Sequence, residues 1–288
     1  MVNFMQKPFK KKVLIIFVHL CLTVLAIFWL IPILWVILTS FKGTLGSYSA
    51  TFFPTSYSLQ NYKLLFTDFS AFNFPKMLFN TFIIAAANCL ISTFIVISVA
   101  YTLSRMRFKG RKKLMNAAMI VHLFPGFMSM IAVYYIIKLF GWTGGPMLRI
   151  AMICIYAGGA GCGYHIAKGF FDTIPYSLDE AARIDGATRF QILRHIIMPL
   201  SKPIIVYTLL ASFAGPFKDF MLAKVICGAY SDYYTVAVGM YKMLEQEYIT
   251  KWYGGFAAAA VIISIPIATM FFCTQKYYAE GVSGAVKG

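Results

Sequence analysis

Carboxylates are scarce in this sequence: ten Asp and Glu stand against 26 Lys and Arg. Three of them, Asp179, Glu180 and Asp185, cluster inside a stretch, 172–200, that opens on a fourth, Asp172, and is too polar to cross a bilayer. Their neighbours spell out helix boundaries. Ser177-Leu178-Asp179-Glu180 has the S-x-x-E form of a capping box, with Ser177 as the cap and Glu180 reaching back, and Pro175 just upstream allows a start one turn earlier. The helix carries Ala181, Ala182 and Ile184 to Asp185, and Gly186 suits the left-handed turn that ends a helix. Thr188-Arg189-Phe190-Gln191 is a second capping box. It opens a second short helix bearing Phe190, Leu193, Ile196 and Ile197, which Pro199 is expected to stop. The chemistry on offer is recognition. Helices this short are marginal alone in water, so they must lie on lipid headgroups or in the groove of a protein. The carboxylates oppose an anionic lipid surface.

The elements that position this pair are membrane helices. The chain of 288 residues is 60% hydrophobic and 12% charged, with a mean hydropathy of +0.72. A soluble domain carries roughly a quarter of its residues charged, whereas lipid can cover an apolar exterior. Apolar runs at 13–39, 75–103, 114–140, 147–171, 201–226 and 254–274 are each long enough to span about 30 Å of hydrocarbon. Pro125-Gly126 interrupts the third, and Gly215-Pro216 is expected to break the fifth. The fourth carries Ala157-Gly158-Gly159-Ala160-Gly161-Cys162-Gly163, small residues that let helix backbones approach closely in lipid. The expected fold class is therefore an all-α membrane protein with six transmembrane helices. Its parts are an N-terminus at 1–12, a transmembrane domain at 13–274 with the loops 172–200 and 227–253 on opposite sides, and a tail at 275–288. About 17 of the 26 Lys and Arg lie in 1–12, 105–113, 168–202 and the tail. By the positive-inside rule these segments, both termini included, face the cytoplasm.

The remaining residues mostly exclude. A net charge of +16 is explained by orientation, and no basic stripe interleaved with aromatics points to nucleic acid. The six cysteines show no C-x-x-C or zinc spacing, and His19, His122, His165 and His195 show no paired spacing, so no metal site is expected. No catalytic constellation appears within the spans. With no phosphate-binding G-x-x-x-x-G-K-[ST] loop, the chain holds no ATP site of its own, and energy must come from a partner or a gradient. Pro216, Lys218 and Asp219 read either as a pore-lining kink at membrane depth or as an interfacial segment from which Lys218 snorkels. The loop 227–253, with Tyr230, Tyr233, Tyr234, Glu245, Glu247, Tyr248 and Trp252, reads first as an interfacial aromatic belt and second as aromatic faces on which sugar rings could stack. A gradient-driven transporter would need intramembrane carboxylates, for which Asp219 is the lone candidate.

Glu180-Ala181-Ala182, then three residues, Gly186, nine residues and Ile196-Ile197-Met198-Pro199 together resemble the EAA loop of binding-protein-dependent ABC importer permeases. Met198 stands where the family usually has Leu, a swap that conserves volume. Over nearly the whole chain the sequence is similar to the MalG-type permeases of maltose and maltodextrin importers. The residues carrying that likeness include Leu123-Phe124-Pro125-Gly126, Ile184-Asp185-Gly186-Ala187-Thr188, Tyr234-Thr235-Val236-Ala237-Val238-Gly239-Met240, Phe256-Ala257-Ala258-Ala259-Ala260 and the terminal Gly284-Ala285-Val286-Lys287-Gly288. The resemblance implies a type I ABC importer permease fold in a bacterial plasma (inner) membrane, and a subunit that is not itself an enzyme. It implies that Glu180, Ala181, Ala182, Asp185, Gly186, Ala187, Phe190, Ile196 and Pro199 form the cytoplasmic coupling loop. That loop docks into a cleft of an ATPase homodimer, where Glu180 pairs with an arginine. Gly284, Ala285, Val286, Lys287 and Gly288 would insert at the ATPase dimer interface. The other implied partners are a second permease subunit, which mainly supplies the sugar site, and an extracellular sugar-binding protein, toward which 227–253 reaches as a gate or scoop. ATP and magnesium would be bound by the ATPase, with no cofactor on this chain.

Overall fold

The computed structural model describes residues 9–43, 51–124 and 126–285. In chain order the helices are α1 Phe9–Ser40, α2 Gln60–Thr67, α3 Phe74–Arg105, α4 Arg111–Leu123, α5 Gly126–Leu139 and α6 Met147–Ala160. A 3-10 turn, Gly161–Tyr164, joins α6 to α7 His165–Asp172. There follow α8 Tyr176–Ile184, α9 Arg189–Ile192, a π turn at Leu193–Ile197, α10 Met198–Leu200, α11 Lys202–Lys218, α12 Met221–Cys227, α13 Val236–Met243 and α14 Ile249–Ala285. No strand occurs among the described residues beyond a single bridge between Lys42 and Tyr57.

Four stretches are long and apolar enough to cross a membrane: Lys11–Ser40, Phe74–Arg105, Met147–Asp172 and Ile249–Tyr277. Two further pairs, Arg111–Leu123 with Met128–Leu139 and Arg189–Leu200 with Lys202–Lys218, bend by 102° and 81°. Counting each pair as one broken span gives up to six. Three expectations need correction. α11 runs straight through Gly215 and Pro216 and ends at Lys218, so the break falls at Asp219-Phe220. α14 does not stop near 274 but continues with Pro266 inside it to Ala285, so most of the expected tail is helix. The loop 227–253 contains α13, and within it Tyr234 and Trp252 are buried core residues rather than part of an aromatic belt.

The chain divides into two compact units, Met1–Thr67 with Met243–Val261, and Asp68–Lys242 with Ile262–Gly288. In the first, the buried Asn61 on α2 donates its amide to the carbonyls of Ser40 (3.1 Å) and Lys42 (3.0 Å). It thereby satisfies the last carbonyl of α1, which the end of a helix leaves open, and one in the turn beyond it. A Cβ on Gly254 would stand 2.4 Å from the Asn61 amide oxygen, so the close approach of α14 requires glycine there.

In the second unit α3 is the spine, packed on α6, α7 and α11. Its buried face carries Asn80, Thr81, Asn88, Ser92, Thr93, Ser104 and Arg105 among small and aliphatic residues. In lipid such polar side chains join helices by hydrogen bonds. Pro216 has no N–H for the carbonyl of Ser212 one turn earlier, and Asn88 donates to that carbonyl at 2.7 Å. This is why α11 continues through its proline. The Asn88 carbonyl oxygen in turn accepts from Ser92. Asn88→Leu orphans both groups, and a buried unsatisfied polar atom costs about 1–3 kcal/mol. We expect a clearly lower unfolding midpoint in detergent for Asn88→Leu, with Asn88→Gln closer to the parent.

Asn80, toward the other end of α3, ties down the segment after α12. Its amide donates to the carbonyls of Asp232 (2.9 Å) and Tyr234 (3.1 Å), and its oxygen accepts from Arg149 Nε (2.9 Å). The Val236 N–H donates to Thr81 Oγ1 at 2.9 Å, and Lys76 pairs with Asp232 at 2.7 Å. At 1.5 Å per residue α3 is about 48 Å long, so one continuous helix joins this segment to the site at its opposite end.

Candidate functional site

The stretch between α7 and α11 folds as the expected two-helix element, and its elbow is built from local chemistry. Gly186 has φ +83. Its N–H donates to Arg183 O (3.0 Å), and the Ala187 N–H donates to Ala182 O (2.9 Å). Those two bonds are the Schellman pattern that closes a helix. One residue on, Thr188 caps α9: its Oγ1 accepts from Gln191 N at 3.3 Å, and Gln191 Oε1 accepts from Thr188 N at 2.7 Å. One helix is therefore closed and the next opened within a few residues. A Cβ on Gly186 would meet nothing within 4 Å, so the cost of a side chain there is purely backbone strain. That cost is about 1–2 kcal/mol for L-residues in this region. Gly186→Val should raise hydrogen exchange of the elbow amides about tenfold, whereas Gly186→Asn, which tolerates the conformation, should stay near the parent.

Two sequence expectations fail here for identifiable reasons. The Ser177–Glu180 capping box does not form. Pro175, with ψ 133, leads directly into a helix that begins at Tyr176 with no side-chain cap, so Ser177 already lies inside the first turn. Pro199 does not stop the second helix either. The turn before it widens to a π turn, with the Met198 N–H bonded to Leu193 O. Pro199 then lies in α10, which follows the π turn without a break. The chain turns only at the buried Ser201.

The element has an inner and an outer face. Asp179, Ala182, Ile192 and Ile197 are buried, the last three in a cluster with Ala100, Tyr101 and Phe171 of α3 and α7. Ala187 and Ile196 are half-buried. Glu180, Ala181, Asp185, Gly186 and Pro199 are exposed. Ile184 and Phe190, at 87% and 67% exposure, stand out beside the elbow. A cleft of about 340 Å³ opens next to Glu180, with Arg107, Arg183 and Arg189 on its walls. Among the described residues Glu180 makes no ion pair.

The seat of this element was missed in the sequence. Arg105, read there as one member of a basic loop, is buried, and its side chain faces Asp179 with 1% and 2% exposure. Its Nη2 donates to the carbonyls of Phe171 (3.0 Å) and Ile174 (2.8 Å), at the end of α7. Its Nε stands 3.6 Å from Asp179 Oδ2 on α8, and its guanidinium lies 4.3 Å over the Tyr176 ring. Tyr176 donates to Ser104 O (2.6 Å), Ser104 donates to Asp172 (2.6 Å), and Tyr101 donates to Arg189 O (3.2 Å). Every contact in this set starts from or ends on the last turns of α3. A lone arginine in a basic run carries no sequence signal for such a partner.

The other expected site residues lie apart. Pro216 is buried, Lys218 is exposed, and Asp219 is half-buried. Asp219 accepts from Tyr156 OH at 3.0 Å and from the Leu222 N–H at 3.1 Å, which ties α6 to the start of α12. Gly284 and Ala285 close α14, while Val286, Lys287 and Gly288 lie outside the described residues. No grouping of His, Cys, Asp and Glu that could hold a metal occurs among the described residues.

Comparison with known proteins converges on one kind of molecule. Residues 94–284 match the family described as binding-protein-dependent transport system inner membrane component. The chain is 31% identical to the galactooligosaccharides transport system permease protein GanQ of Bacillus subtilis, over 97% of this chain and 98% of that protein. It is 32% identical to the maltodextrin transport system permease protein MdxG of the same organism, over 94% and 95%. In three dimensions it is similar to a chain in the crystal structure of a bacterial ABC transporter involved in the import of the acidic polysaccharide alginate. That likeness has a TM-score of 0.75 at 21% identity and covers 94% of this chain and 99% of that one. The fold is the type I permease fold.

Proposed function

We propose a function from one premise: the chain belongs to the family of binding-protein-dependent transport system inner membrane components. It is a multi-pass membrane permease component of an ABC importer, and ATP hydrolysis belongs to a separate subunit. On our reading it forms a translocation pore with a second permease, and its two-helix element is the coupling loop of an ATPase homodimer that binds ATP and magnesium. The observation that carries this reading is the two-faced elbow. An inner face fixed to α3 and α7 leaves Glu180, Ile184 and Phe190 outward at a rigid turn. An apolar pair beside a carboxylate suits a protein groove better than a headgroup layer. On our reading the element and both termini are cytoplasmic, which the Lys and Arg count supports, and 227–253 lies on the side of the binding protein.

For cargo we propose oligosaccharides, maltodextrins first. The similarity to a maltodextrin permease and the likeness read in the sequence support this. The similar identity to a galactooligosaccharide permease makes those sugars the second reading. Purification of the chain from its own membrane tests the coupling: a phosphate-loop ATPase should co-purify, and sugar-loaded binding protein should stimulate its hydrolysis. Uptake of labelled maltotriose, competed by unlabelled maltodextrin or galactooligosaccharide in cells with and without the chain, tests the cargo. Proton-dependent uptake that needs no ATP would overturn the proposal.

A further inference from the structure

The coupling loop is connected to its membrane domain through chain continuity at both ends, to α7 and to α11. Neither connection is a continuous straight helix. Thr173, Ile174 and Pro175 separate α7 from α8, and the chain turns by 81° between α10 and α11. A third connection, by side chains, runs to a helix that is remote in sequence. Arg105, at the end of α3, bonds two carbonyls at the α7–α8 junction, faces Asp179 on α8 and stacks on Tyr176. Tyr101, one turn earlier, takes the first residue of α9 by its carbonyl. One helical end thus holds both halves of the loop. The guanidinium suits this task because it presents several donors in one rigid plane, which a lysine does not.

The opposite end of α3 holds the segment 231–236 through Asn80 and Thr81. The helix between them is unbroken. A push on α8 is therefore delivered along about 37 Å of helix to a segment on the far side of the membrane. Motions of this kind are rigid-body displacements of packed elements.

From this arrangement, and resting on the coupling reading above, we infer that Arg105, through its buried pairing with Asp179, is a positioning residue that makes the coupling loop and α3 one lever, the route by which ATPase closure reaches the 231–236 segment. It touches neither nucleotide nor sugar. Removing the pairing leaves the docking face intact and loosens its transmission.

The test uses the whole importer, with both permeases, the ATPase and the binding protein, in proteoliposomes. Asp179→Asn keeps the shape of the side chain and removes its charge. Arg105→Lys keeps a charge and loses the planar fork. The cargo is whichever of maltotriose and galactotriose the parental complex takes up. The expected result is that both variants assemble with the ATPase and, in the absence of binding protein, hydrolyse ATP within about twofold of the parent, while with binding protein and sugar present the sugar transported per ATP falls tenfold or more. Stimulation of hydrolysis by loaded binding protein should be lost in parallel. Tyr176→Phe, which removes a single hydroxyl, guards against misfolding and should shift the ratio in the same direction by a smaller amount. A parental transport-to-hydrolysis ratio in all three variants overturns the inference and leaves the coupling reading standing, as does a loss of assembly and hydrolysis in step with transport. A parental complex whose hydrolysis does not respond to sugar overturns both.

Discussion

Replacing Ile184 and Phe190 together by serine should reduce the affinity of the chain for its ATPase by at least a hundredfold, with no loss of its own stability. The two side chains are 87% and 67% exposed beside the elbow, on the outer face of the loop, and neither is part of the buried core. Full burial of a large aliphatic or aromatic side chain contributes about 1.5–3 kcal/mol. Two of them in a groove amount to about 3–6 kcal/mol, and every 1.4 kcal/mol is roughly tenfold in affinity. In the free chain the same residues contribute little, since exposed positions away from caps and networks usually change stability by no more than about 0.5 kcal/mol. The measurement is a titration of the ATPase onto the permease in nanodiscs, beside an unfolding curve of the permease alone. An unchanged affinity would mean that the apolar face lies against lipid headgroups. A collapsed unfolding midpoint would mean that it is internal packing.

The loop was legible in the sequence to the extent that its chemistry is local. Gly186 and the pairing of Thr188 with Gln191 act over a few residues, and the structure places them as their types require. The apolar runs were legible for the same reason, since length and composition alone set what can cross a bilayer. Prolines were the first failure. Read alone, Pro199 and Pro216 break helices. In the fold a π turn accommodates one, and Asn88 on a different helix supplies the hydrogen bond that the other removes. Ser177 was the second, because a capping motif competes with whatever starts the helix upstream, and Pro175 started it first. The third was Arg105. Its neighbours Arg107, Lys109, Arg111, Lys112 and Lys113 read together with it as one orienting charge cluster, and nothing in the run distinguishes the arginine that is buried against Asp179. Long-range pairs of this kind exist only once α3 and α8 have been brought together.

Glu180→Ala gives the second large expected effect, and its adjacent carboxylate makes the argument sharp. Successive residues on a helix point about 100° apart, so Asp179 and Glu180 cannot share an environment. Asp179 is buried against Arg105, whereas Glu180 is exposed at the mouth of a cleft and makes no ion pair among the described residues. Removing Glu180 therefore leaves no buried charge behind, and the unfolding midpoint of the chain should hold. In the assembled importer the position is different. If Glu180 meets an arginine of the ATPase, truncation strands that cation in the interface, a loss of about 2–5 kcal/mol. Transport in vesicles should then fall by at least an order of magnitude, with weakened ATPase association or hydrolysis no longer tied to sugar. Glu180→Gln should be milder, because it keeps an acceptor for the guanidinium. The arginines that line the cleft add a condition of their own. Arg183 and Arg189 repel an incoming cation, so the carboxylate must both neutralise its own surroundings and attract the partner. Raising the salt concentration should therefore narrow the difference between parent and variant in ATPase association, since screening weakens exposed charges most. Parental transport in Glu180→Ala vesicles would remove this residue from the coupling interface.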